Sequence, residues 1–149
     1  MKKTDLTLHS NIKGEGEALI LLHGLFGAAD NLGRIAIELS KGFKVHALDL
    51  RNHGQSPHYE MMNYELMAQD VIEYMDQHAI ETANVLGHSM GGKVAMTVAL
   101  TFPERINKLI VADIAPVTYP PHHKEIFKGL MAIDLKQEKT RAAADEVLS

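Results

Sequence analysis

The stretch Ala83-Asn84-Val85-Leu86-Gly87-His88-Ser89-Met90-Gly91-Gly92-Lys93-Val94-Ala95 decides how this chain folds. A short apolar run leads into a G-x-S-x-G pattern, and from Met90 to Phe102 only Lys93 is charged. The pattern predicts a strand over Ala83 to Leu86, a sharp turn at Ser89, and a helix buried on most sides. Side chains two positions before and after the serine would collide in such a turn, and Gly87 and Gly91 relieve the crowding. The turn lifts the Ser89 hydroxyl above the sheet. It also directs the Met90 N–H, at the helix start, toward charge developing beside that hydroxyl.

Working outward, Ala18-Leu19-Ile20-Leu21-Leu22 is apolar without alternation, as in a central strand covered on both faces. Leu6 and Leu8 suggest a short edge strand before it, and Asn11 to Gly16 a turn. Leu32, Ile35, Ala36 and Leu39 recur at helical spacing, closed by Gly42. Phe43 to Leu48 is the next strand, and Asn63 caps a helix carrying Leu66, Met67, Val71, Ile72 and Met75. Leu109 to Ala112 is a fourth apolar strand, ending at Asp113. Beyond Pro116 the character changes: Pro120-Pro121 introduces two amphipathic helices, near Lys124–Ile133 and Glu138–Leu148, with no strand between them. Strands alternating with helices from 18 to 113 predict an α/β fold, a mostly parallel sheet with helices on both faces.

Composition narrows the partners. The chain has 149 residues, 15 basic against 19 acidic, and a formal charge of −4, which disfavours a nucleic-acid backbone binder. There is no cysteine, hence no disulfide framework and no Cys-based zinc or redox site. The five-residue run Ala18–Leu22 is too short to span a bilayer. The N-terminus turns polar at once, so no signal peptide and a cytoplasmic location are expected.

Three strand ends carry candidate chemistry. Leu21-Leu22-His23-Gly24-Leu25-Phe26-Gly27 leaves the first central strand, and the Leu25 N–H is the expected second oxyanion donor, ahead of Phe26. Asp49, Arg51, His53, Gly54 and Ser56 form a polar cluster in which Asp49 and Arg51 are expected to tie down the loop. Asp113 lies where ligand crevices of open parallel sheets lie, and either orients an imidazole or caps the next turn. A serine hydrolase also needs a histidine base. His88 adjoins Ser89, but successive side chains diverge. His23 braces the loop after its strand, His46 lies within a strand, and His53 and His58 lie in a loop. His78 ends a helix, and His122 and His123 follow the prolines. No metal site is expected from these spacings. The base is expected beyond Ser149.

These residues resemble the alpha/beta-hydrolase superfamily, and more closely the bacterial YbfF-type esterases. The resemblance rests on five ordered motifs between about 18 and 135. They are His23-Gly24-Leu25-Phe26-Gly27 with Asn31-Leu32-Gly33; Arg51-Asn52-His53-Gly54 with Ser56-Pro57; Met62-Asn63-Tyr64 with Met67-Ala68-Gln69-Asp70; Gly87-His88-Ser89-Met90-Gly91-Gly92-Lys93; and Asp113-Ile114-Ala115-Pro116-Val117. It implies a nucleophile at Ser89, oxyanion N–H groups at Leu25 and Met90, and Asp113 as the acid. It also implies esterase or thioesterase activity on acyl esters, acyl-CoA among them, with no cofactor. Residues 1–118 would form the N-terminal part of the core and 119–149 the start of a helical lid. The fold would be truncated before its last strands, with roughly 100 residues to follow. On that expectation the chain alone is inactive, and the strand at 106–112, left as an edge, invites self-association. Two other readings compete: a relative with other chemistry, or a non-catalytic binding or assembly module.

Overall fold

The computed structural model describes residues 7–119, 124–134, 136 and 140–148. Five strands form one sheet: β1 (Ser10–Lys13), β2 (Ala18–Leu22), β3 (Lys44–Leu48), β4 (Ala83–His88) and β5 (Ile106–Ala112). Their spatial order is β1-β3-β2-β4-β5, with β1 antiparallel to β3 and every other pair parallel. Three helices cover the sheet: α1 (Gly33–Leu39), α2 (Tyr64–Gln77) and α3 (Met90–Thr101).

Unbroken apolar runs become β2, β3 and β4 because helices bury both faces of these strands. On one face Ile20, Leu22, Leu48 and Val85 pack with Met67, Val71 and Met75 of α2 and Val94, Ala95 and Val98 of α3. On the other, Leu19, Leu21, Val45 and Ala47 pack with Ala29 and with Ala36 of α1. Each fully buried aliphatic side chain contributes about 1.5–3 kcal/mol, so this two-faced core dominates the favourable side of folding. Asn63 caps α2, its side chain accepting the Leu66 N–H at 2.8 Å.

The chain leaves β2 through α1 on one face and leaves β4 through α3 on the other. The carboxyl ends of these adjacent strands therefore flank a topological switch point, where α/β sheets open a ligand crevice.

Some local expectations shift. The edge strand is Ser10–Lys13, overlapping the segment Asn11 to Gly16 expected to turn. Leu6 lies outside the described residues, and Leu8 is buried in the core ahead of the strand. Lys13 pairs with Val45 and Ser10 with Leu48, so backbone pairing with β3, not apolar alternation, makes this strand. A 3-10 turn over Ala29–Leu32 precedes α1, and Ile35 faces solvent. α3 is buried over its first turns, but Leu100 in its last turn is 84% exposed.

Contacts divide the chain into Met1–Pro116 and Val117–Ser149. The second unit carries α4 (Lys124–Ala132) and α5 (Arg141–Leu148), which contact each other. Ile126, Phe127, Leu130 and Met131 recur at helical spacing along α4. His122 and His123 lie outside the described residues.

Candidate active site

Between β4 and α3 the chain turns on Ser89 alone, at φ 51° and ψ −115°. A non-glycine residue held there costs about 1–3 kcal/mol, and the surroundings impose it. A Cβ on Gly87 would lie 2.1 Å from the Gly91 carbonyl oxygen, and one on Gly91 would lie 2.4 Å from that of Leu22. Both contacts are with backbone, so only glycine fits at either position. The Ser89 N–H donates to the Ala112 carbonyl at 2.9 Å, tying the bend to the end of β5. The Ser89 carbonyl accepts the N–H groups of Gly92 and Lys93, which starts α3.

The loop after β2 lies against this bend. A Cβ on Gly24 would sit 3.4 Å from Ser89 Cβ. The Gly27 N–H donates to the Gly24 carbonyl at 3.0 Å, and Phe26 has φ 60°. With positive φ only at its second central residue, Gly24-Leu25-Phe26-Gly27 is a type II turn. Among the described residues neither the Leu25 N–H nor the Met90 N–H has a hydrogen-bond partner. Free backbone amides near a serine hydroxyl are groups that can stabilise an oxyanion.

Asp113, just past β5, has φ 59° and an 84% exposed carboxylate. Its partner is His88 Nε2, at 3.5 Å. His88 diverges from Ser89 as strand geometry requires, and its divergence carries it to Asp113, a pairing that sequence spacing does not reveal. Among the described residues no imidazole hydrogen-bonds Ser89. The His53 ring donates from Nδ1 to the Arg51 carbonyl oxygen at 2.9 Å, and His78 stacks on Tyr74.

The polar cluster after β3 is a brace. Asp49 accepts from the Ala29 N–H (2.7 Å), the Gln55 N–H (2.9 Å) and His9 Nδ1 (2.9 Å). Burial alone pushes the Asp49 carboxyl up, but these three donors outweigh it and hold the group below its usual value. Arg51 forms a two-pronged pair with Asp70 of α2, at 2.5 Å on each arm, and donates to the Met61 carbonyl. The Asp70 hydrogen bonds raise the Arg51 guanidinium above its ordinary value. Both residues thus fix loops around the crevice, as expected of them. His9 and Asp70 escaped sequence reasoning because their partners lie 40 and 19 residues away.

Among the described residues no group of three or more His, Asp or Glu side chains could hold a metal ion, and no helix is long and apolar enough to cross a membrane.

Residues 17–149 match the family described as the alpha/beta hydrolase fold. The chain is 42% identical over 131 residues to Esterase YbfF of Escherichia coli, covering 87% of this chain and 52% of that protein. It is 43% identical over 142 residues to the sn-1-specific diacylglycerol lipase ABHD11 of Xenopus laevis, covering 90% and 46%. Among solved structures, one described as "Marine microorganism esterase" is 46% identical with a TM-score of 0.91, covering 97% of this chain and 58% of that one. The chain spans about half the length of the curated relatives it matches. With the match running from residue 17 to 149 over this sheet order and this bend, the chain belongs to the alpha/beta hydrolase fold family.

Proposed function

We propose that this chain is the N-terminal part of a serine esterase or thioesterase that cleaves acyl esters, acyl-CoA among them, through an acyl-serine. Ser89 Oγ attacks the acyl carbonyl, and its proton passes to a histidine supplied from outside this stretch. Asp113 holds that imidazole in the useful tautomer. The N–H groups of Leu25 and Met90 take up the negative charge on the carbonyl oxygen. The tetrahedral intermediate collapses, the alcohol or thiol leaves with the proton, and water repeats the sequence to release the acid and free Ser89. Residues 119–149 are the start of a helical lid. No cofactor takes part.

One observation carries this reading: a strained serine with the Gly24–Gly27 turn against its Cβ, where Leu25 in that turn and Met90 next to the serine have N–H groups without a hydrogen-bond partner among the described residues. The relatives named esterase and diacylglycerol lipase support an ester substrate. On this reading the base comes from outside this stretch, and the 149-residue chain alone is expected to be inactive, its hydroxyl lacking a base. The test is turnover of a chromogenic short-chain ester by the full-length protein, its Ser89→Ala variant and the 149-residue chain. Activity only in the unsubstituted full-length protein is expected. Normal turnover by Ser89→Ala refutes the reading, and an inert full-length protein favours a binding module.

A further inference from the structure

Lys93 is the one charged residue between Met90 and Phe102, on a helix whose first turns are buried. It is bonded to two different segments. Its N–H donates to the Ser89 carbonyl at 3.2 Å, as part of the turn that starts α3. Its side chain reaches elsewhere, and Nζ donates to the Ala115 carbonyl at 2.8 Å. Ala115 lies two residues beyond Asp113. A single residue of α3 is therefore tied both to the serine bend and to the turn that carries the proposed acid. A half-buried ammonium forgoes part of its hydration, and a charge-assisted bond to a carbonyl offsets that loss only while the two groups hold their places.

Three contacts bracket Asp113, and none of them uses its carboxylate. Before it, the Ala112 carbonyl accepts the Ser89 N–H at 2.9 Å. After it, Ile114 packs on α3 where the helix has no side chain, since a Cβ on Gly92 would lie 2.6 Å from Ile114 Cγ2. One residue further on, Lys93 holds Ala115. Asp113 sits between these ties at φ 59°, a sparsely populated conformation that tertiary contacts have to hold. Its carboxylate stays 84% exposed, with His88 Nε2 at 3.5 Å, and is open to an imidazole. We infer that Lys93 is a positioning residue: by holding the Ala115 carbonyl it fixes the acid-bearing turn relative to Ser89, so that nucleophile and acid meet the base in register. The inference rests on the esterase reading above and gives a role to a residue which that reading leaves unused.

Lys93→Met keeps the apolar stem and removes the donor. In the full-length protein it is expected to lower kcat about 10- to 100-fold with KM within about twofold, because a misplaced acid matters in the transition state and not in substrate binding. The acid limb of the kcat/KM profile against pH gives the sign. A carboxylate beside the base raises the imidazole pKa, so a slipped Asp113 lowers it, and the limb should move down by about half a pH unit. Loss of the Lys93 charge alone would move the limb up, and a loss of stability alone would leave it in place. In an Asp113→Asn background, which has no carboxylate to place, Lys93→Met is expected to cost less than about twofold more.

Unchanged kcat in folded Lys93→Met, an acid limb that stays or rises, or an undiminished effect in the Asp113→Asn background would overturn the inference. Should Lys93→Met not fold, amine acetylation of the unsubstituted full-length protein decides instead. Lys93 is expected to react about 10-fold more slowly than the exposed Lys13 and Lys44, and its acetylation to lower ester turnover. Equal reactivity, or normal turnover once Lys93 is acetylated, overturns the claim. A normal Lys93→Met beside a crippled Asp113→Asn sinks only the positioning role, whereas a fully active Asp113→Asn removes the acid assignment on which it rests.

Discussion

Leu25→Pro removes a single hydrogen atom's worth of chemistry from the crevice while leaving the turn that carries it. Leu25 occupies the first central position of a type II turn, where proline is favoured, and its N–H has no partner among the described residues. The half-buried Leu25 side chain packs on the larger core cluster, and trimming it to proline costs about 1 kcal/mol. Proline's restriction of the unfolded chain returns about 0.4–1 kcal/mol, so net stability should change little. The loss falls on the reaction. Deleting one oxyanion donor costs about 100- to 1000-fold in kcat, or about 2.7–4 kcal/mol of transition-state stabilisation. Steady-state kinetics on a chromogenic ester, with a thermal melt of the same protein, is the assay. The expected result is a fall of that size in kcat at nearly constant KM and constant melting temperature. A folded Leu25→Pro protein with unchanged kcat would refute the assignment of this donor and shift it to Phe26.

Other consequences can be measured on the 149-residue chain. Asp49→Ala strands three donors, two of them backbone N–H groups, and should cost about 3 kcal/mol in urea unfolding; a loss under about 1 kcal/mol contradicts the brace. His46 is buried in the sheet against the Tyr74 hydroxyl, and burial lowers its pKa from 6.5 to about 4. The unfolded chain therefore binds the proton first, so stability is complete above about pH 7 and falls on acidification toward pH 4. The loss from this group should be about 2 kcal/mol by pH 5, and His46→Gln should reduce that slope. β5 is the sheet edge, and Ile110 on it is 52% exposed. Light scattering should show concentration-dependent association, weakened by Ile110→Lys, whereas a monodisperse monomer at high concentration rules out pairing through this edge.

What the sequence made legible is what local sterics and burial dictate. The Ser89 bend could be read because only glycine tolerates backbone oxygens 2.1 and 2.4 Å from a Cβ, and that demand leaves a spacing in the chain. β2 and β3 could be read because burial on both faces removes polar alternation. The Asn63 cap followed from side-chain chemistry at one position. β1 is not legible in the sequence because Ser10-Asn11-Ile12-Lys13 is mostly polar and half-exposed, and only pairing with β3 makes it a strand. The scarcity of charge from Met90 to Phe102 predicts burial along all of α3, yet Leu100 in its last turn is exposed among the described residues. The His9–Asp49 and His88–Asp113 pairs join the ends of different strands and Arg51–Asp70 joins a strand-end loop to α2, and no local pattern announces a partner that the fold supplies. Exchange of the β2 and β4 connections across the sheet explains why these groups meet at one crevice.

Intact-mass and peptide analysis of the full-length protein, quenched during turnover of a slowly deacylated ester, reports most directly on whether a covalent intermediate forms on the strained hydroxyl. The expected product is an acyl adduct on the peptide containing Ser89, absent from Ser89→Ala. Sustained ester turnover with Ser89 unmodified, or with the adduct on another residue, would contradict the account.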